Sequence, residues 1–162
     1  MIDDCESLRD HRYSIAMTAR VISYTVKITD KNGMDLYFAS DSVNPQGCHN
    51  SSAVEKKINK KRSVEGSCDM AKCLDDVLKD VRKNGMKPTS IYILTDGRCS
   101  LTDNGKGVKE VIYDAIMSLV EAKRIPRDLM FQFVQFGRDP EAYELLKSFD
   151  DDCKKVENNI EL

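Results

Sequence analysis

No apolar run in this chain is long enough to cross a bilayer. The longest apolar-rich segment, Val108 to Val120, is interrupted by Lys109, Glu110 and Asp114. The mixed runs Arg20 to Ile28 and Met34 to Ala39 fall well short of the ~20 apolar residues a spanning helix requires. A secretory leader is also missing, since Met1 is followed by Asp3, Asp4 and Glu6 and not by a basic and then an apolar stretch. Six cysteines occur, yet none forms a CxxC pair, so no zinc-knuckle or dithiol motif is written in the spacing. Gly66-Ser67-Cys68 and Gly105-Lys106-Gly107 are too sparse in glycine to cradle phosphates. These absences lead to the expectation of neither a membrane-spanning helix nor a phosphate-loop enzyme. They imply a cytoplasmic protein whose thiols stay reduced.

What is present describes one folded unit. The 162 residues are 41% hydrophobic and 32% charged, enough for a sizeable core and too apolar for disorder. The formal net charge of -2 selects no class of partner. One basic run, Glu55 to Arg62, contains five cations without interleaved aromatics. It reads as the solvated face of a short helix, not as a nucleic-acid interface. Neither nucleic acid nor membrane is expected as a partner.

Periodicity sets the order of elements. Ile15, Ala19, Ile22 and Val26 share one stripe of a helix over 12–29. Met34 to Ala39 reads as a strand after Asn32-Gly33, and Ser40 to Cys48, with Asn44-Pro45 and Gly47, reads as a loop. Ser52 and Glu55 have capping-box spacing for a short helix to about Lys60. A further helix starts near Cys68 or Asp69, buries Met70, Leu74, Val77, Leu78 and Val81, and ends at Asn84-Gly85. Ile91-Tyr92-Ile93-Leu94 is apolar without alternation, as in a strand covered on both faces. A helix over 108–124, a strand over 129–136 and a helix opening at Asp139-Pro140-Glu141 follow. That last helix is expected to stop in Asp150-Asp151-Asp152, leaving 153–162 as a tail or short edge strand. Strands alternating with helices predict an α/β domain with a mostly parallel sheet, and ligand-binding loops at the carboxyl ends of its strands.

Three of those loops combine acid with cysteine: Asp3 to Ser7, Gly66 to Asp69, and Asp96 to Ser100. Ile2-Asp3-Asp4-Cys5-Glu6-Ser7 resembles the Asp-x-Ser-x-Ser signature of the von Willebrand factor A (vWA) family, and Ile93-Leu94-Thr95-Asp96-Gly97 resembles its later Thr-Asp-Gly. Gln132 to Ala142 is similar to the late strand-to-helix passage of vWA domains in fungal and other microbial eukaryote proteins. The resemblance extends over nearly the whole chain. It implies a Rossmann-like, vWA-like sheet flanked by helices over residues 1–162. The family's first strand lies in mid-sheet, and here only Met1-Ile2 remain of it, which suggests a strand truncated at its N-terminal side.

The resemblance also implies a metal-ion-dependent adhesion site holding Mg²⁺ or Mn²⁺, with a ligand carboxylate completing the coordination. Carried over position by position, the oxygen ligands are Asp3, Ser7 and Asp96, together with Ser67 after a one-residue shift. Cys5 stands where the family has Ser, and Cys68 where it has Thr. Sulfur is a poor donor for a hard ion that takes oxygens at about 2.0–2.1 Å, so the site reads as degraded. Zn²⁺ is a softer alternative using Cys5, Cys68 and Cys99 with Asp3, Asp96 and His11; against it, separate thiols are commonly buried small hydrophobes. The acidic residues have a structural reading as well, as caps and loop ties. His11 reads as a helix-start surface residue, Cys73 as core, and Cys48 and Cys153 as peripheral. A Cys5–His11 nucleophile has neither an assured contact nor an oxyanion feature, so no enzyme activity is expected. The functional reading is a non-catalytic module that binds an acidic group of a protein ligand, with a metal-free scaffold as the alternative.

Overall fold

Alternation of side chains along each strand explains how the chain builds two apolar cores around one sheet. In a computed structural model, residues 1–29, 33–65, 68–98, 105–125 and 128–159 are described. A 3-10 helix, Glu6–His11, leads into α1 (Arg12–Thr29), β1 (Met34–Phe38), β2 (Asp41–Cys48), α2 (Ser51–Lys60) and α3 (Met70–Lys83). β3 (Thr89–Thr95), α4 (Lys106–Glu121), β4 (Leu129–Gln135) and α5 (Pro140–Asn159) complete the order. The predicted α/β class holds. β3 and β4 pair in parallel, from Thr89↔Leu129 to Thr95↔Gln135, whereas β1 and β2 are antiparallel.

The Met1–Asp3 stretch joins the two strand pairs. Ile2 is bridged in parallel to Phe38 of β1 and to Leu94 of β3. Ile2 N donates to Tyr37 O (2.8 Å) and Ala39 N donates to Ile2 O (2.9 Å). On the other side Leu94 N donates to Met1 O (3.1 Å) and Asp3 N to Leu94 O (2.9 Å). The order across the sheet is therefore β2, β1, Met1–Asp3, β3, β4. Met1–Asp3 occupies its middle and satisfies backbone groups of both neighbours.

Residues two apart face the same side. Met1, Tyr37, Ala39, Ile91 and Ile93 enter one core with Leu74, Val77 and Leu78 of α3, Ile112 and Ile116 of α4, and Leu146 and Phe149 of α5. Ile2, Leu36, Phe38 and Leu94 enter the other with Ile15, Ala16 and Ala19 of α1 and Val54 and Ile58 of α2. Full burial of a large aliphatic side chain such as Ile15 contributes about 1.5–3 kcal/mol, which helps to hold the β-branched α1 helical despite modest propensity. No described helix is long and apolar enough to cross a membrane.

Two local expectations fail. Ser40 to Cys48 is not a loop: Phe38 pairs with Asp41 across a tight turn, and the chain returns as β2 with Met34↔Cys48 in register. Proline at 45 is compatible with this because β2 pairs on one side only among the described residues, and an edge strand can lack a ladder donor. The last helix also passes through Asp150-Asp151-Asp152 to Asn159, so the tail is neither loose nor an edge strand over 153–159. Aspartate lowers helix propensity without breaking the backbone, unlike proline. Residues 160–162 lie outside the described residues.

Caps differ in detail. Asn50, not the Ser52–Glu55 box, opens α2, its Oδ1 accepting from Ala53 N at 2.8 Å. The basic run is largely α2; Lys56, Lys60 and Arg62 are exposed, as a solvated face requires, while two of its cations make contacts with the rest of the chain. Lys57 Nζ donates to Gly47 O, and Lys61 lies over the Phe38 ring and 3.7 Å from Asp4 Oδ2.

Candidate functional site at the carboxyl ends of the central strands

Two adjacent parallel segments, Met1–Asp3 and β3, end in acid on the same edge of the sheet. Asp3 is 1% exposed and Asp96 5% exposed. Asp3 Oδ2 accepts from the Thr95 hydroxyl at 2.7 Å, and Asp3 Oδ1 accepts from Cys5 N at 3.1 Å. Thr95 Oγ1 in turn accepts from Gly97 N at 2.9 Å, while Asp96 Oδ1 accepts from Arg98 N at 2.9 Å. Each carboxylate thus ties its own loop, as its structural reading expects. Gly97 has φ +81°, and a Cβ there would lie 2.9 Å from Ala142 Cβ. Only glycine meets both the left-handed backbone and the close approach of α5.

Burial pushes the Asp3 carboxyl up to about 6, the hydrogen bonds from Thr95 and Cys5 N oppose that rise, and the carboxylates of Asp96 and Asp4 add to it. Asp4 turns to the β1–β2 turn, where it accepts from Ser40 N and Oγ. A cavity of about 20 Å³, room for one water, borders Asp3, Asp4, Leu8, Arg12 and Lys61. Beyond Asp96, Arg98 Nε pairs with Asp139 Oδ2 at 3.2 Å. Asp139 also caps α5 by accepting from Glu141 N and Ala142 N.

The two sulfurs nearest Asp3 are joined. Cys5 and Cys68, 63 residues apart, form a disulfide with a Cα–Cα separation of 5.9 Å. Both are buried. This corrects the expectation of reduced thiols throughout. The isolated parallel bridge between Cys5 and Val64 brings the α2–α3 connection beside the first loop, and linear spacing does not reveal that the two meet sulfur to sulfur. The ligand atoms of Asp3, Cys5 and Cys68 all lie within 4.8 Å of one another. Among the described residues no other group of three metal-ligating side chains converges in this way.

The remaining expected ligands divide. Asp96 is close enough to raise the Asp3 carboxyl electrostatically, but it is not a member of that cluster. Ser7 is exposed on the 3-10 helix. Ser67 and Cys99 lie outside the described residues. His11 lies with its ring tilted against that of Phe136, 6.3 Å between centroids, just beyond the end of β4, and His49 is exposed. Cys73 is core as expected. Cys48 is not peripheral: it is buried beneath α2 in the core that contains Leu36 and Val54. Thr95 was missed as a site residue, although its place beside Asp96 at the strand end was the available signal.

The donor set does not suit a six-oxygen hard-ion clamp. Two of the hydroxyl positions are sulfurs bonded to each other, and a third, Ser7, is exposed on the 3-10 helix. Comparison with family models, with curated proteins and with solved structures finds nothing that matches this chain.

Proposed function

We propose that this chain is a vWA-like, non-catalytic protein-interaction module whose binding rim is the strand-end edge around Asp3 and Asp96. The observation that carries the reading is the pair of buried carboxylates on adjacent parallel segments, Asp3 being held by the hydroxyl of Thr95 next to Asp96. Evolution toward stability alone does not favour burying like charges together, since each loses hydration. A mid-sheet Met1–Asp3 segment and an antiparallel β2 flank supply further support for the vWA-like arrangement. Non-catalytic action is favoured because Cys5 is bonded to Cys68 and His11 packs on Phe136.

The partner group is an acidic side chain or loop of another protein. Mg²⁺ or Mn²⁺ would be bound weakly, by oxygens of Asp3 and Asp96, and most of the affinity would come from protein–protein contact around the rim. Titration with Mg²⁺ and with Mn²⁺, followed by backbone amide shifts, tests the cation. Changes should centre on Asp3, Thr95 and Asp96, and a Cys5→Ser/Cys68→Thr variant should bind at least tenfold more tightly because it regains two oxygen donors. A silent titration of folded wild type and variant would leave the metal-free scaffold as the function.

A further inference from the structure

We infer that Cys5, Cys68 and Asp3 form a redox-gated soft-metal site: oxidation closes it as a disulfide, and reduction opens it to one Zn²⁺ held by two thiolates and one carboxylate. The inference shares Asp3 with the proposed rim but needs neither a protein partner nor a hard cation.

Geometry comes first. Tetrahedral zinc takes sulfur at ~2.3 Å and carboxylate oxygen at ~2.0–2.2 Å, which sets ligand-to-ligand edges of roughly 3.3–3.8 Å. Three buried ligand atoms within 4.8 Å of one another already converge on that scale. Any disulfide holds its sulfurs at ~2.05 Å, so the pair must separate by somewhat under 2 Å to straddle the ion. Rotation about the cysteine χ1 bonds moves a sulfur that far while the backbone stays in place.

Structure around the ligands keeps them close without the disulfide. Cys5 is bridged to Val64, with Glu6 N donating to Val64 O and Val64 N to Asp4 O. Asp3 is held to β3 through Leu94 O. Cys68 immediately precedes Asp69, the cap of α3, whose Oδ1 accepts from Lys72 N at 2.8 Å. Ordered outer partners also suit a metal centre. The Thr95 hydroxyl orients Asp3 Oδ2. The carboxylates of Asp4 and Asp96 make the neighbourhood negative and favour a dication. Three protein ligands leave a fourth tetrahedral position for water or an incoming donor.

The chemistry balances with a dithiol reductant. Its two thiols become a disulfide, its two electrons break the Cys5–Cys68 bond, and its two protons end on the two Sγ atoms. Zn²⁺ then displaces those protons to solvent as two Zn–S bonds form.

The test uses the full chain, reduced anaerobically with a phosphine and desalted, beside the untreated oxidised chain, with Zn²⁺ alone as the probe. Reduced protein should bind one equivalent of Zn²⁺ at least 100-fold more tightly than oxidised protein. Co²⁺ in its place should give thiolate charge-transfer bands and tetrahedral ligand-field bands. Cys5→Ser, Cys68→Ser and Asp3→Ala should each weaken Zn²⁺ by tenfold or more, whereas Cys73→Ala should not. In case a variant fails to fold, Zn²⁺ must also protect Cys5 and Cys68 of the reduced wild type from alkylation, read by peptide mass. No stoichiometric Zn²⁺ in the reduced chain, or binding without protection of these two thiols, overturns the inference. Either result leaves the hard-cation titration of the proposed rim to be judged separately.

Discussion

The Thr95 hydroxyl donates to Asp3 Oδ2 at 2.7 Å across 92 residues of sequence, and Thr95 Oγ1 accepts from the Gly97 amide at 2.9 Å. A single side chain therefore ties the first loop to the third and supports the backbone turn that carries Asp96. The strand-end edge is built by the sheet's own geometry, with this hydroxyl tying Asp3 to the turn that follows Asp96.

Thr95→Val keeps the β-branched shape of the strand and deletes both hydrogen bonds. Loss of a bond to a buried carboxylate, with Gly97 N left without that acceptor, should cost about 1.5–3 kcal/mol. Urea midpoints at pH 7.5 with an unchanged m-value would register it. Thr95→Ser should recover most of the loss.

Asp3 gives the chain a pH-dependent stability when metal is chelated. Its folded carboxyl titrates at about 6 against an ordinary 3.8. Because the folded value is raised, its contribution is fully present below 3.8, falls as pH rises through about 6, and is flat above. The interval corresponds to roughly 3 kcal/mol at most. In EDTA, Asp3→Asn should gain on wild type by that order between pH 4 and pH 7. Parallel stability curves for the two proteins over that range would show that the charge carries no such penalty.

Gly97→Ala places a methyl carbon against Ala142 at a left-handed backbone position. Strain and contact together should destabilise the fold by about 1–3 kcal/mol, read as a lowered thermal midpoint. Gly85 also has positive φ, yet a Cβ there meets nothing within 4 Å. Alanine at 85 should therefore cost less than alanine at 97.

Cys73 is fully buried, and burial pushes its thiol up to about 12. Native protein at pH 8 should leave Cys73 unmodified by iodoacetamide, with labelling appearing only after denaturation. Peptide mass spectrometry reads the result directly. Rapid native labelling would mean that α3 opens from the sheet.

Much of the fold could be read from linear pattern because its causes are local. The 3.6-residue stripe of Ile15 and Ala19 marked α1, the run Ile91 to Leu94 marked a strand covered on both faces, and Asp139-Pro140 marked the start of α5. Elements with weak local signals were misread. β2 contains Asn, Pro and Gly, and its strand state comes from pairing with β1. The run Asp150-Asp151-Asp152 resembled a stop, but no proline follows to enforce one.

At the candidate site, the position of the acids was legible in sequence and the pairing of the sulfurs was not. Asp3 and Asp96 were placed correctly at strand ends, since a carboxylate after an apolar strand is visible in sequence. The sulfur pair was not, because Cys5 and Cys68 carry no spacing motif. Ser7 was assigned by position along a motif, and its exposure followed from the 3-10 turn that no periodicity revealed.

The sequence by itself determined the α/β alternation, the helix faces and the acids at the strand ends, since each follows from patterns within about twenty neighbouring residues. Tertiary structure alone decided that Met1–Asp3 lies between β1 and β3, that Thr95 secures Asp3, and that Cys5 meets Cys68. Parallel pairing assembles those contacts from segments 36 to 92 residues apart, as between Ile2 and Phe38 or between Ile2 and Leu94, and no local preference encodes which distant side chains will touch.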